Sequence, residues 1–304
     1  MASTTTAAPV ALIPAAHKLT RVNWEELREI AFTVQEALDA HGADAHDEYA
    51  TVWEMWMEQL KDAKAQLLLA DSSMGDGSSD ERAPGWYSSA HDFWEDEKNC
   101  PVTDNGVLGG YAHVSPADIK GSEMFFTRMG KLRPSWKREL AVDCGAGIGR
   151  VSKFLLLPHF ERVDLVEQSP RLLQSVPQYI GRHNSDVARV RNLYCMGLQE
   201  FQPEPESYDL IWVQWVSSHL TDADFVHFLK RCKQALRPNG WIGIKENTLL
   251  SGVPYEIDSE DSSITRSAVY YVSLFKQAGL TILAKERQQH FPKELYPVTM
   301  YALA

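Results

Sequence analysis

The stretch Leu140-Ala-Val-Asp-Cys-Gly-Ala-Gly-Ile-Gly149, followed by Arg150, decides the fold. Three apolar residues reaching an acid read as a buried strand, and the glycines after it read as a tight turn into a helix. Glycine lets the backbone approach a ligand closely, and a helix N-terminus offers it unpaired amides. The spacing is G-x-G-x-G, and Arg150 occupies the place where a dinucleotide fingerprint needs a third small residue. A pyrophosphate lying on the helix is therefore disfavoured, and a smaller ligand carrying a carboxylate suits the cation. Glu167 closes the next strand about twenty residues on, where a ribose diol is normally held. A ligand-free turn with a solvated acid is the bland alternative. The ordered sequence of strand, turn, helix, strand and acid argues against it.

Outward from this turn, apolar β-type runs alternate with helical ones, which predicts an α/β fold with a mostly parallel sheet. Strands are expected at Leu140–Asp143, Val163–Glu167, Val190–Cys195, Leu210–Trp215, Trp241–Lys245, Leu280–Glu286 and Val298–Leu303. Helices are expected at Arg150–Leu157, Pro170–Ile180, Asp222–Leu236 and Ser267–Ala278, with a turn at Arg237-Pro-Asn-Gly240. Only a short polar connection containing Pro292 and Pro297 joins the last two strands, so they should pair antiparallel.

Toward the N-terminus the pattern is different. Arg21–Ala40 carries Trp24, Leu27, Ile30, Ala31, Val34 and Leu38 on one helical stripe, and Asn23 with Glu26 has capping-box spacing. A second amphipathic helix is expected from about Asp47 to Ala70, with Val52, Trp53, Trp56, Leu60 and Leu67 apolar. Asp71–Gly85 is rich in Ser, Gly and Asp and reads as a linker. The expected organisation is a helical hairpin extension and linker over 1–85 and an α/β domain over 86–304. The first residues, apolar over Ala7–Ala16 but interrupted by Pro9 and Pro14, read as a flexible lead without the basic start of a signal peptide.

The 304 residues include 41 acidic and 30 basic side chains, a net charge of −11. That sign repels phosphate backbones, which disfavours nucleic acid as a partner, and steers cations inward. No apolar run approaches the roughly 18–20 residues of a membrane span. Cys100, Cys144, Cys195 and Cys232 lack zinc-ligand spacing, so no metal is expected, and the last three read as buried reduced thiols. A soluble protein of the cytoplasm is expected, with the nucleus also open.

From about His91 onward the chain resembles the protein α-N-terminal methyltransferases, which methylate the free amino terminus of proteins beginning X-Pro-Lys or X-Pro-Arg. The resemblance rests on Gly106-Val-Leu-Gly-Gly-Tyr-Ala-His113, Asp143–Arg150 with Leu155-Leu-Leu-Pro158, Gly197-Leu-Gln199, Tyr208–His219 with Leu220-Thr-Asp222, Arg237–Gly240, Ile244-Lys-Glu-Asn247, Asp261-Ser-Ser263 and Glu286-Arg-Gln288. It implies a Rossmann-like class I fold, a seven-stranded sheet with its last strand antiparallel. It also implies S-adenosyl-L-methionine as cofactor, with S-adenosyl-L-homocysteine as product. The partners it implies are the N-terminal segments of substrate proteins, and it says nothing of self-association through the hairpin.

Carried over residue by residue, Gly145, Gly147 and Arg150 would hold the methionine part, with Gln214 against it. Glu167, standing where the family usually has aspartate, would hold the ribose, and Leu198 and Gln199 would border the adenine. Trp94 and Trp215 match aromatic positions lining the substrate channel, Trp94 being grouped with the cofactor contacts. His219 and Asp261 match the pair that removes the proton, and Asn247 the residue that binds the substrate terminus. Asp258 matches an acid facing the third, basic residue, and Leu108, Gly109, Tyr111 and Tyr296 match the lid and channel wall. The loop from Gly252 to Asp261 is slightly longer than the family's, and Ser217-Ser218 replaces an apolar residue and a glycine. Two other readings stay open: a small-molecule methyltransferase of the same fold, and a non-catalytic binding protein. The intact set Gly145, Arg150, Glu167, Asn247 and Asp261 argues against the second.

Overall fold

A computed structural model describes residues 12–14, 22–43, 48–61, 85–181, 185–250 and 252–304. The strands are β1 (Leu12–Pro14), β2 (Leu140–Cys144), β3 (Arg162–Glu167), β4 (Val190–Cys195), β5 (Tyr208–Gln214), β6 (Leu236–Leu249), β7 (Tyr255–Asp258), β8 (Ser263–Ser267), β9 (Ile282–Arg287) and β10 (Val298–Leu303). The helices are α1 (Trp24–Ala40), α2 (Val52–Gln59), α3 (Gly85–Glu95), α4 (Asp104–Val107), α5 (Ser115–Leu132), α6 (Pro170–Gly181), α7 (Asp222–Ala235) and α8 (Ala268–Gln277).

The main sheet runs β1-β4-β3-β2-β5-β6-β10-β9. Its pairs are parallel from β1 to β6, and β10 lies antiparallel to both β6 and β9. All residues of β2, β5 and β10 are buried, as a sheet covered on both faces requires. Strand alternation sends Ile211 and Val213 into one apolar core and Leu210 and Trp212 into the other. The chain steps outward from β2 to β3 and β4, then returns to the other side of β2 as β5. Strand order reverses there, and a crevice opens at the carboxyl ends of β2 and β5.

The N-terminal helices are built into the first of these cores. Leu27, Ile30, Ala31, Val34 and Leu38 of α1 and Val52, Met55 and Trp56 of α2 are buried in one cluster with Val213, Phe225, Leu229 and Tyr271. Asn23 caps α1 by accepting the Glu26 amide at 3.2 Å. The expected linker lies outside the described residues except for Gly85, which opens α3, and the expected second helix beyond residue 61 lies outside them too.

Some expectations are corrected. Leu12–Pro14 is an edge strand paired with Leu193–Cys195, where a flexible lead was expected. Local composition gives no sign of it, because the partner supplies the hydrogen bonds. The helix after the glycine turn is π-helical over Ser152–Leu156 and continues as Leu157–His159, with Pro158 unable to donate to an α ladder. Residues 237–240 loop out inside β6, between the pairs Tyr208–Leu236 and Leu210–Trp241, with Asn239 left-handed. The four cysteines are free; Cys144 and Cys232 are buried as expected, Cys195 is only half-buried where burial was expected, and Cys100 is buried.

Helices α3 and α5 and the hairpin β7–β8 were not anticipated. In α5 the glycines blur the apolar stripe, and Gly121 is there for contact. A Cβ on it would lie 2.2 Å from Gln288 Oε1. Among the described residues no helix is long and apolar enough to cross a membrane.

Candidate active site

The glycine turn closes the switch point. Gly145, Gly147 and Gly149 all take positive φ, at 73°, 54° and 86°. At Gly145 a Cβ would meet the Val216 side chain at 2.5 Å, so only glycine fits there. Gly145 and Ala146 donate to the Val166 carbonyl at 2.9 Å, which ties the turn to β3. Beneath it, Asp143 accepts the Ser152 amide at 2.9 Å and hydroxyl at 2.7 Å, and burial pushes its pKa up to about 6.

Glu167 is aimed by two amides: its carboxylate accepts Gly147 N–H at 2.9 Å and Ser169 N–H at 2.8 Å. Burial raises its pKa, against the pull of those amides. On the other side of the turn one carboxylate organises three partners. Asp118 of α5, fully buried, pairs with Arg150 at 2.8 Å and Lys245 at 2.5 Å, and accepts Gln214 Nε2 at 2.9 Å. Gln214 Oε1 accepts the Trp212 indole at 2.9 Å, which confirms that these two share a face of β5. Burial alone would raise the Asp118 pKa, but Lys245 and Arg150 outweigh it and hold the carboxyl below its ordinary value.

These groups wall a chamber of about 930 Å³, its open mouth included. Gly145, Gly147, Arg150, Glu167, Leu198, Gln199, Gln214 and Trp94 all line it. A cation and turn amides stand at one side, an acid on β3 at another, and Leu198, Met196 and Leu172 supply apolar wall. This donor set fits an amino-acid carboxylate, a ribose diol and a base.

A second chamber adjoins the first, and Trp94, Val107, Trp215 and His219 line both. Its walls also carry Leu108, Gly109, Tyr111, Asn247, Asp261 and Tyr296. Asp258 is not among them. It sits exposed at the end of β7, accepting the Glu260 amide at 2.9 Å. Trp215 of the chamber wall rests on left-handed, non-glycine backbone at φ 52°, and so does Ser262, which lies between the lining residues Asp261 and Ser263, at φ 53°. Strain of this kind costs about 1–3 kcal/mol and persists where surroundings over-determine it. At Trp215 the amide is held by the Lys245 carbonyl at 3.1 Å, and the ring lies by the Arg150 guanidinium.

His219 has both ring nitrogens engaged. Nε2 lies 3.1 Å from the Trp94 indole N–H, which can only donate, so Nε2 accepts and Nδ1 carries the proton toward Ser262 O at 3.2 Å. Burial lowers its pKa, while Asp261 and Asp258 pull the other way. The ring is thus a neutral imidazole of fixed tautomer. Asp261 Oδ1 and Trp215 Nε1 are buried without a hydrogen-bond partner among the described residues.

Glu246 also lines the second chamber. Its Oε1 accepts Val216 N–H at 2.9 Å, Ser217 N–H at 2.8 Å and Ser217 Oγ at 2.9 Å, and burial pushes its pKa up to about 7. Sequence reasoning assigned no role to Asp118 or Glu246. Asp118 carries no motif. Glu246 stands within the quoted Ile244–Asn247 segment and was legible only as Asn247's neighbour.

Residues 82–304 match a family model described as AdoMet dependent proline di-methyltransferase. The chain belongs to this family. Over 220 residues it is 48% identical to the N-terminal Xaa-Pro-Lys N-methyltransferase 1 of Xenopus tropicalis, covering 72% of this chain and 95% of that one. The enzyme of the same name from Homo sapiens is 46% identical over 219 residues, with the same coverage. Among solved structures, a SAM-dependent methyltransferase from Leishmania major superposes with a TM-score of 0.70 at 35% identity, covering 86% of this chain and 95% of that one. A magnesium protoporphyrin IX methyltransferase from Synechocystis, solved with bound SAM, shares the fold at a TM-score of 0.52 and 11% identity. The protein is an S-adenosylmethionine-dependent methyltransferase with the Rossmann-like class I fold, and the first chamber is where its residues suit that cofactor.

Proposed function

We propose that this methyltransferase transfers methyl groups from S-adenosylmethionine to the free α-amino terminus of proteins beginning X-Pro-Lys or X-Pro-Arg. The observation that carries the reading is the shared wall of Trp94, Val107, Trp215 and His219 between the two chambers. An amine seated beside Asn247 and Asp261 would face that wall. When bound, the cofactor supplies an electrophilic methyl group and a neutral leaving group.

The chain's own work is to hold an unprotonated amine in line. A terminal amine has a pKa of about 8, against about 10.4 for lysine, so modest help suffices. Asp261 Oδ1 is the free acceptor for the proton. His219 Nε2 is already taken by Trp94, so the imidazole serves as a neutral wall until that indole yields. Trp94 and Trp215 offer flat surfaces to a second-position proline, which has no backbone donor to strand in an apolar channel. A third-position cation meets an acidic wall in which Asp261 and Glu294 take part, with Asp258 on the exposed turn nearby. The relatives named for Xaa-Pro-Lys N-methylation support the same substrate class.

The test is mass spectrometry of a Ser-Pro-Lys-Arg peptide incubated with the protein and S-adenosylmethionine, against the N-acetylated peptide. Methyl addition to the free peptide alone is expected. Equal modification of the acetylated peptide, or none of either, overturns the reading.

A further inference from the structure

The short turn Ser217–His219 is held by its carbonyl groups. Arg266, wholly buried, donates to Ser217 O at 3.1 Å and Leu220 O at 2.8 Å. The Trp86 indole donates to His219 O at 2.7 Å. Arg266 is itself fixed by Asp222, whose Oδ1 accepts Nε at 3.1 Å and a terminal nitrogen at 2.9 Å. The other oxygen of Asp222 accepts two donors, the Tyr270 hydroxyl at 2.5 Å and the Trp56 indole at 2.7 Å. The Trp56 ring also stands edge-on to Trp86, with centroids 5.4 Å apart. Trp56 therefore touches both clamps on the histidine turn. It lies on α2, ahead of residue 82, where the family match begins.

We propose that Trp56 is a positioning residue for His219, acting through Asp222–Arg266 and through Trp86, so that the N-terminal helices support the active centre. The inference rests on the substrate reading above for what His219 does, not for how it is held. A buried ion pair keeps its geometry only while its remaining lone pairs are satisfied. Without the indole N–H, Asp222 Oδ2 keeps the tyrosine alone and loses one of the two donors that fix the angle at which its other oxygen meets the guanidinium fork. The fork holds carbonyls on both sides of His219, and a side chain that walls both the cofactor and substrate chambers tolerates only about 0.5 Å of drift. The Leishmania structure covers a larger share of this chain than residues 82–304 amount to, so a counterpart of the N-terminal segment reaches into that superposition.

Trp56→Phe removes the donor and keeps an aromatic ring. It is read in three ways: kcat and KM with the free peptide, cofactor affinity by calorimetry, and the His219 titration from imidazole ¹⁵N shifts. The expected result is a kcat lower by about tenfold, unchanged cofactor affinity, and a His219 titration moved up toward the ordinary histidine range. A folded variant with wild-type kcat and an unmoved titration, even at reduced thermal stability, would make Trp56 a packing residue and end the proposal. Should Trp56→Phe fail to fold, Asp222→Asn, which keeps the shape and weakens the hold on Arg266, is read by the same criteria. If the wild-type protein leaves the free peptide unmethylated, the substrate reading fails, while the His219 titration still decides the bracing role.

Discussion

The two chambers are built in different ways. One side of the cofactor chamber rests on backbone: glycine amides after β2, the Glu167 carboxylate closing β3 and pinned by two amides, and Leu198 and Gln199 just past β4. Each part lies at its strand's end or within a few residues of it. The substrate chamber is assembled from side chains spread between Trp94 and Val298, and strained backbone occurs at Trp215 in its wall and at Ser262 beside Asp261. Binding groups held by backbone are set by local turns, and a few glycines announce them. Groups held by packing depend on contacts between distant segments. Damage should therefore separate cleanly, with cofactor affinity failing on one side and turnover on the other.

The sharpest probe of that separation is Asp261→Asn. Loss of a positioned proton acceptor costs about 10²–10⁴-fold in kcat. Cofactor affinity should be unaffected, as calorimetry alongside steady-state kinetics will check. His219 should rescue little, because Trp94 occupies its Nε2.

Glu246 tests the substrate side through stability. Its folded pKa of about 7 lies above the ordinary 4.5. The stabilisation from keeping it protonated is full below the lower value and is lost as pH rises through the upper one. Glu246→Gln keeps an oxygen for the Val216 and Ser217 donors and removes the ionisation. Relative to wild type it should gain up to about 3 kcal/mol between those two pH values and no more above them. Urea denaturation across that range measures it, and a flat difference would mean the carboxyl is already ionised in the folded chamber.

Glu167→Ala is the counterpart on the cofactor side. A charged acceptor for the ribose is worth about 1.5–3 kcal/mol of affinity. With the cofactor saturating, kcat should stay within a few-fold of wild type. Unchanged calorimetric affinity in a folded variant would remove Glu167 from the cofactor's contacts.

The smallest effect is expected from Asp258→Ala. An exposed carboxylate outside the chamber walls contributes less than about 1 kcal/mol, so KM for a Lys-containing peptide should rise about fivefold at most. A larger rise would show that the β7–β8 turn folds inward over bound substrate, and that the exposed and chamber-lining acids act together.

The sequence by itself determined the parallel sheet, the antiparallel closing strand and the cofactor turn. Apolar runs, glycine spacing and a strand-end acid are local signals, and local geometry obeys them. It also marked the α1 stripe that is buried, because helical period shows which face needs a partner. It did not say what that partner is. The strand pairing of Leu12–Pro14, the gathering of Arg150, Gln214 and Lys245 on Asp118, and the reach of Trp56 to Asp222 were decided only by the tertiary structure. In each case the satisfying group lies far along the chain from the one it satisfies, so no window of sequence contains both. The acids of the Glu256–Asp261 stretch show the same limit at short range. They read alike as letters, and only the left-handed step at Ser262 and the hairpin around it bury Asp261 Oδ1 while leaving Asp258 in solvent.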